Sequence, residues 1–324
     1  MIIKILYCLI TSLLLSVILG AIFIKIFRKK RFGQPVYKYV ESHKEKNGTP
    51  TMGGLFFLLT AVICYLIFSN KSRLSVVALV IGLAFMVVGF LDDFIKIKSR
   101  ENQGLKAYQK IIFQLSIAIS SGVFCYLNGL TIFYLPFSKT SINLGVFTIF
   151  FVAFIFVAIT NSVNLTDGLD GLSGGVSVVY LIFIVILMIL QSNLSTMAKE
   201  ETDGLIILSI SLVGALMGFL IYNTNKASVF MGDTGSLSLG GFIGAISIFS
   251  GNSFFIPLFG IMFMTSSISV IMQVIYYKRT KKRIFLMAPY HHHLQMKGYS
   301  ESKISYLYAV VTGVVSCVSI IGYL

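Results

Sequence analysis

The sequence predicts an all-α, polytopic membrane protein of about ten transmembrane helices with both termini extracytoplasmic. Three observations carry that expectation. Of 324 residues, 56% are hydrophobic and only 12% charged, and the mean hydropathy is +0.88, which is more apolar surface than a soluble core can enclose. Apolar runs of roughly 17 to 25 residues, the length that matches bilayer hydrocarbon, recur along the whole chain. Lys and Arg concentrate in alternate loops, as the positive-inside rule asks of a polytopic chain. No soluble domain fits between the runs, so residues 1–324 are expected to form one integral membrane domain.

The first run, Leu6 to Phe27, is followed by Arg28 to Arg31 without a small-residue cleavage site, and therefore reads as a retained helix and not a signal peptide. Further spans are expected at Met52 to Phe68, Leu74 to Leu91, Ile111 to Leu127 and Leu144 to Ile159. The second half adds Leu172 to Leu190, Leu205 to Tyr222, Leu237 to Phe249, Phe254 to Tyr277 and Ile304 to Leu324. Helices are expected because lipid tolerates no unpaired backbone and the runs lack the alternation of barrel strands.

The segments Lys25 to Lys46, Lys96 to Lys110, the turn at Lys226 and Lys278 to Lys303 hold most of the 26 basic residues, so that set of loops is expected to be cytoplasmic. The opposite set keeps only Lys4, Lys71, Arg73, Lys139 and Lys199. Anionic membrane lipids account for the net charge of +14 better than nucleic acid does, and no nucleic-acid partner is expected. Cys8, Cys64, Cys125 and Cys317 all lie in apolar runs, with no spacing that suggests a metal or a disulfide.

Aspartates sort the same way. Asp92, Asp93, Asp167, Asp170 and Asp233 fall at span ends on the expected cytoplasmic side, and only Asp203 falls on the other. Ionisable groups beside membrane segments are costly, so several on one face point to a site, while helix capping is the plainer alternative. In Leu91-Asp92-Asp93-Phe94-Ile95-Lys96, helical spacing groups a carboxylate pair with a cation, which suits a general base or a phosphate site. The segment Asn161 to Leu172 is a Gly-bent turn between two spans, whose amides and carboxylates either cap the next span or hold a polar ligand. Phe230-Met231-Gly232-Asp233-Thr234-Gly235-Ser236 sets a carboxylate among free backbone N–H groups, a combination that suits phosphate and Mg²⁺. Consecutive histidines in Ala288-Pro289-Tyr290-His291-His292-His293 cannot all face one metal, but they can donate to a diphosphate. There is neither a Walker-type loop for ATP nor a dinucleotide-binding glycine motif.

Taken together and in this order, Gly48 to Gly54, the Asp92-Asp93 pair with Lys96, Asn164 to Leu172, Phe230 to Ser236 and the triple histidine resemble the phospho-N-acetylmuramoyl-pentapeptide transferase family. The resemblance runs from about Lys46 to Lys297. It implies a single catalytic membrane domain that uses Mg²⁺ to join UDP-MurNAc-pentapeptide and undecaprenyl phosphate into lipid I, with release of UMP. It also implies a bacterial plasma membrane location and an active site on the cytoplasmic face. Within it, Asp233 is the principal metal ligand, Asp92 deprotonates the lipid phosphate, and Asp93 assists or binds diphosphate. Asn164, Asp167, Asp170, Asn223 and Phe230 then bind uridine and its neighbours. Lys46, Thr51, Lys96, Gln273, Ala288, His291 and His292 complete the lining, and a homodimer stays open. A sister enzyme that loads N-acetylglucosamine phosphate on the same lipid is the nearest alternative. A secondary transporter is the alternative from another class, and it would carry its carboxylates at mid-depth.

Overall fold

The computed structural model describes residues 1–29, 48–99, 104–191 and 197–324. Helices dominate it: α1 Ile2–Lys29, α2 Gly54–Phe68, α3 Arg73–Ser99, α4 Ala107–Leu127, α5 Thr148–Thr166, α6 Leu172–Gln191, α7 Lys199–Asn223, α8 Gly232–Phe249, α9 Ile256–Phe259, α10 Ile261–Thr280, α11 Tyr290–Met296 and α12 Glu301–Ile321. Between α4 and α5 a small antiparallel hairpin pairs β1, Ile132–Tyr134, with β2, Ser141–Asn143, in the register Ile132 opposite Asn143.

Among the described residues, 8 helices are long and apolar enough to cross a membrane. The spans expected at Met52 to Phe68 and Leu237 to Phe249 are helices too, but they are not among those eight. The first, α2, is a shorter apolar helix. The second, α8, is buried at every position from Thr234 to Phe249 and rich in Gly and Ser, so protein rather than lipid surrounds it and its side chains need not be apolar. The expected span Phe254 to Tyr277 is divided at Gly260 into α9 and α10. The outward faces of α1, α4 and α5 carry exposed Ile, Leu and Phe, including Ile10, Leu14, Ile112, Phe150 and Phe154, as lipid contact demands.

Lipid supplies no hydrophobic drive between helices, so close approach through small residues and hydrogen bonds must hold the bundle. On α1 the buried positions Cys8, Ser12, Ser16, Gly20 and Ile24 repeat every fourth residue. They face α7, where the Ser16 hydroxyl donates to the Ala215 carbonyl at 2.7 Å and a Cβ on Gly218 would lie 2.6 Å from Ser16. In the centre, α8 packs against α2, α3 and α5. Gly82, Gly240 and Gly244 meet aromatic rings or helix backbone there, with no room for a side chain. This tight centre carries the first turn of α8 against the last turns of α3.

Candidate active site

Past its apolar run α3 continues as helix through Asp92, Asp93 and Lys96, with both aspartates buried. Gly89, one turn earlier, lets the backbone of Asp233 and Thr234 lie directly on α3, since a Cβ at Gly89 would sit 2.7 Å from the Thr234 nitrogen and closer still to the Asp233 carbonyl. Gly232 opens α8 at φ +72°, where a Cβ would fall 2.5 Å from Asp93 Oδ2 and 3.1 Å from the Thr51 hydroxyl. Only glycine meets both the backbone and the space requirement there.

Five charged groups from three helices converge. Lys96 Nζ lies 2.6 Å from Asp92 Oδ2 and 3.0 Å from Asp233 Oδ2, while Lys110 Nζ, from the start of α4, lies 2.6 Å from the same Asp233 oxygen and 4.0 Å from Asp92. The Asn164 amide at the end of α5 donates to Asp233 Oδ1 at 2.7 Å and to the Ser236 hydroxyl at 2.8 Å. Asp92 Oδ1 accepts from the Leu105 N–H at 2.9 Å, and its buried Oδ2 is met by the Lys96 ammonium. Asp93 is saturated differently: Oδ2 accepts from the Thr234 hydroxyl at 2.6 Å and the Thr234 N–H at 2.9 Å, and Oδ1 accepts from the Asp233 N–H at 3.1 Å.

A second layer closes around the turn between α5 and α6. Asn223 ties it to the end of α7, accepting from the Gly171 N–H at 3.0 Å and donating to the Val229 carbonyl at 2.8 Å. Asp170 accepts from the Ala227 N–H at 3.0 Å, and its own N–H donates to Glu301 Oε2 at 3.2 Å. Phe230 pairs through its backbone with Pro50 and Gly53. Burial first, and then the charges of Asp233, Asp93 and Asp170, push Asp167 well above the usual carboxylate range.

Helix α11 brings His291 and His292 over this turn, where a Cβ on Gly168 would lie 3.2 Å from His292 Nε2 and closer to His291 Nε2. His291 is fully buried with neither ring nitrogen hydrogen-bonded, an orphan that suits a ligand partner. Burial, reinforced by His292, lowers its pKa to about 3. Burial also lowers that of His292, opposed by its hydrogen bond with Gln295 and by the charge of Glu301. Gln273 accepts from the Ile284 and Phe285 N–H groups and so braces the loop that carries Ala288, without reaching the carboxylates.

The structure thus gathers Asp92, Asp93, Asp233, Lys96 and Asn164 directly, with Thr51 beside Gly232 and with Asp167, His291 and His292 around Gly168. Asp170, Asn223, Phe230, Gln273 and Ala288 stand behind them in the surrounding loops. Lys46 lies outside the described residues. Lys110, Thr234 and Glu301 were not anticipated. Lys110 reads in sequence as an ordinary basic residue at a span end, and only the approach of α4 to α8 reveals its partner.

The oxygens of Asp92, Asp93 and Asp233 lie within 4.8 Å of one another, so the cluster can hold a metal ion. It offers hard oxygen donors without His or Cys, which fits an oxygen-seeking divalent cation and not zinc. Asp93 is held by Thr234 and by the backbone of α8, whereas Asp233 is met by the side chains of Lys96, Lys110 and Asn164 and Asp92 Oδ2 by that of Lys96, partners that can turn aside for an ion.

Residues 75–251 match the model for glycosyl transferase family 4, and residues 46–58 match phospho-N-acetylmuramoyl-pentapeptide-transferase signature 1. A phospho-N-acetylmuramoyl-pentapeptide-transferase of Clostridium botulinum is 41% identical over 311 residues, covering 95% of this chain and 92% of that protein. The namesake from Clostridioides difficile is 39% identical over 319 residues, covering 98% and 97%. That from Thermoanaerobacter pseudethanolicus is 39% identical over 312 residues, covering 95% of each. With this similarity over nearly its whole length, and with Thr51 and Gly54 of the signature segment packed against the start of α8, the chain belongs to the phospho-N-acetylmuramoyl-pentapeptide-transferase family.

Proposed function

We propose that this chain transfers the phospho-MurNAc-pentapeptide group of UDP-MurNAc-pentapeptide to undecaprenyl phosphate, yielding lipid I and UMP at the cytoplasmic face of a bacterial plasma membrane. One observation carries the reading beyond family membership: two lysines and three carboxylates converge at one end of a membrane bundle, where a charged headgroup can meet a soluble nucleotide. An oxygen of the lipid phosphate attacks the sugar-side phosphorus and forms a new P–O bond. The bridging P–O bond of the diphosphate breaks, and its electron pair leaves with UMP.

Asp92, whose Oδ2 is paired with the Lys96 ammonium, takes the proton of the lipid phosphate. Lys96 and Lys110 donate to the diphosphate oxygens as charge spreads in the transition state. Mg²⁺, held by Asp233 with Asp92, would neutralise the diphosphate when bound. Asn164 fixes the orientation of Asp233. Thr51, Asp167, Asp170, Asn223, Phe230, Gln273, Ala288, His291 and His292 shape the nucleotide and sugar-peptide subsites, either directly or by holding the loops that do. The polyprenyl chain enters along the exposed apolar helix faces, and residues 1–324 work as a single catalytic domain.

Purified protein supplied with UDP-MurNAc-pentapeptide, undecaprenyl phosphate and Mg²⁺ is expected to release UMP and form a lipid-linked product. Exclusive turnover of UDP-GlcNAc would assign the sister reaction instead, and undiminished turnover in excess chelator would remove the metal from the scheme.

A further inference from the structure

We propose that Asp93, with Thr234, is a positioning residue: it forms a cap delivered from α3 onto the first turn of α8 and aims the Asp233 carboxylate, and it does not itself serve as base, metal ligand or diphosphate contact. The inference rests on the transfer reaction above for its functional meaning, but its geometry is independent of substrate.

A helix begins with backbone N–H groups that have no intrahelical partner, and a side-chain oxygen normally supplied from the residue just before the helix satisfies them. At α8 that residue is Met231, which makes no side-chain cap. The service comes instead from Asp93 of another helix, 140 residues earlier in sequence, through the Asp233 N–H and both the N–H and the hydroxyl of Thr234. Three donors aimed at one carboxylate fix its plane and its charge, and the positive end of the α8 dipole favours an anion there. Asp93 is 1% exposed, and a Cβ on Gly232 would collide with it, so the α8 backbone itself covers the carboxylate. What the cap holds is the turn whose next outward group, Asp233, meets Lys96, Lys110 and Asn164. Asp92, by contrast, turns Oδ2 toward the ammonium of Lys96, which it meets at 2.6 Å, and among the described residues it accepts no hydrogen bond from the first-turn N–H groups of α8. Adjacent aspartates on one helix therefore divide the work, one facing the reactants and the other facing the backbone of α8.

Thr234 decides the matter, because it is uncharged and both its N–H and its hydroxyl donate to Asp93. The test uses the full-length protein in nanodiscs, with Asp93→Asn, Thr234→Val, Thr234→Ser and the Asp93→Asn/Thr234→Val double variant. Backbone hydrogen exchange is measured in chelator without nucleotide, and UMP release is measured with Mg²⁺. Losing a hydrogen bond to a charged group should raise exchange of the Asp233 and Thr234 amides about tenfold or more in both single variants, with α3 unchanged and Thr234→Ser close to wild type. Turnover should follow. Thr234→Val is expected to lower kcat about tenfold to a hundredfold with KM for the nucleotide and the pH profile little moved, and the double variant should be no worse than Asp93→Asn alone. Wild-type exchange and kcat in Thr234→Val beside an inactive Asp93→Asn would overturn the proposal, as would losses that multiply in the double variant. The exchange arm needs no substrate, so a failure there is separate from a wrong choice of nucleotide sugar.

Discussion

Substituting Gly89 by Ala tests whether the contact between α3 and α8 sets the active-site geometry. The change adds one methyl group and removes no polar atom, so any loss of activity must travel through displacement. The new Cβ would stand 2.7 Å from the Thr234 nitrogen, whereas ordinary contact begins at 3.4 Å. Both partners are helix backbone, which cannot rotate away, so the first turn of α8 must retreat by about 0.7 Å at Thr234 and by more at the Asp233 carbonyl. Asp233 would then leave the 2.6 to 3.0 Å contacts that join it to Lys110, Lys96 and Asn164. Misplacement on the order of 1 Å costs about a hundredfold in rate, and overpacking costs about 1–3 kcal/mol of stability. UMP release by purified Gly89→Ala protein is the assay, with membrane insertion and thermal unfolding as controls for folding. A kcat within threefold of wild type in a correctly inserted protein would refute the claim that this contact governs the site.

Asp233→Ala and Asp92→Asn are each expected to abolish nearly all UMP release while the protein still inserts, and wild-type rates in either would remove that residue from the chemistry. Lys110→Met should lower kcat about 10²- to 10³-fold if its ammonium stabilises transition-state charge, measured as initial rates at saturating substrates. The His291 pKa is lowered to about 3, below its unfolded value of about 6.5, so the folded protein favours the neutral ring. Its contribution to the docking of α11 is full above about pH 6.5 and is lost as pH falls from there toward 3. Hydrogen exchange at α11 should accelerate between pH 7 and pH 5, and exchange corrected for intrinsic rate that stays flat over that range would contradict the buried neutral histidine.

Hydropathy places the helices that touch lipid and blurs those that do not. The expected spans at Leu74 to Leu91 and Leu205 to Tyr222 lie inside α3 and α7, because apolar length is the constraint that lipid imposes. Both helices run further than their apolar cores, to Ser99 in one case and from Lys199 in the other. The continuation of α3 carries Asp92, Asp93 and Lys96, so the portion of the helix that joins the charged cluster is the portion that hydropathy leaves out. The break at Gly260 and the hairpin at 132–143 fall where local geometry, not transfer to lipid, decides the backbone. Motif chemistry singles out Asp92, Asp233 and Asn164, which the fold brings into one cluster, because their residue types announce charge and hydrogen bonding at span ends. It could not separate Asp92 from Asp93, since neighbours on a helix share composition and differ only in what the rest of the fold brings to each. Gln273 and Asn223 show the same limit, for their amides are spent on backbone groups of the surrounding loops.

The Gly and Ser content of α8 connects packing to chemistry. A helix encased by other helices gains little from large apolar side chains and gains van der Waals contact from backbone approach, so small residues accumulate in it. The same closeness brings its first-turn N–H groups within reach of a carboxylate on α3, and a wider separation would break that bond and release Asp233 from its orientation. Gly54, facing Gly235, and Gly89, facing Asp233, therefore serve the active site with no functional group of their own. In water such a centre could be widened and refilled with larger side chains at modest cost. Here a widened seam would strand a buried carboxylate without its donors beside a low-dielectric medium, where an unpaired charge is most expensive. The packing stripe and the acidic cluster are in this sense one constraint, imposed where α3 crosses α8.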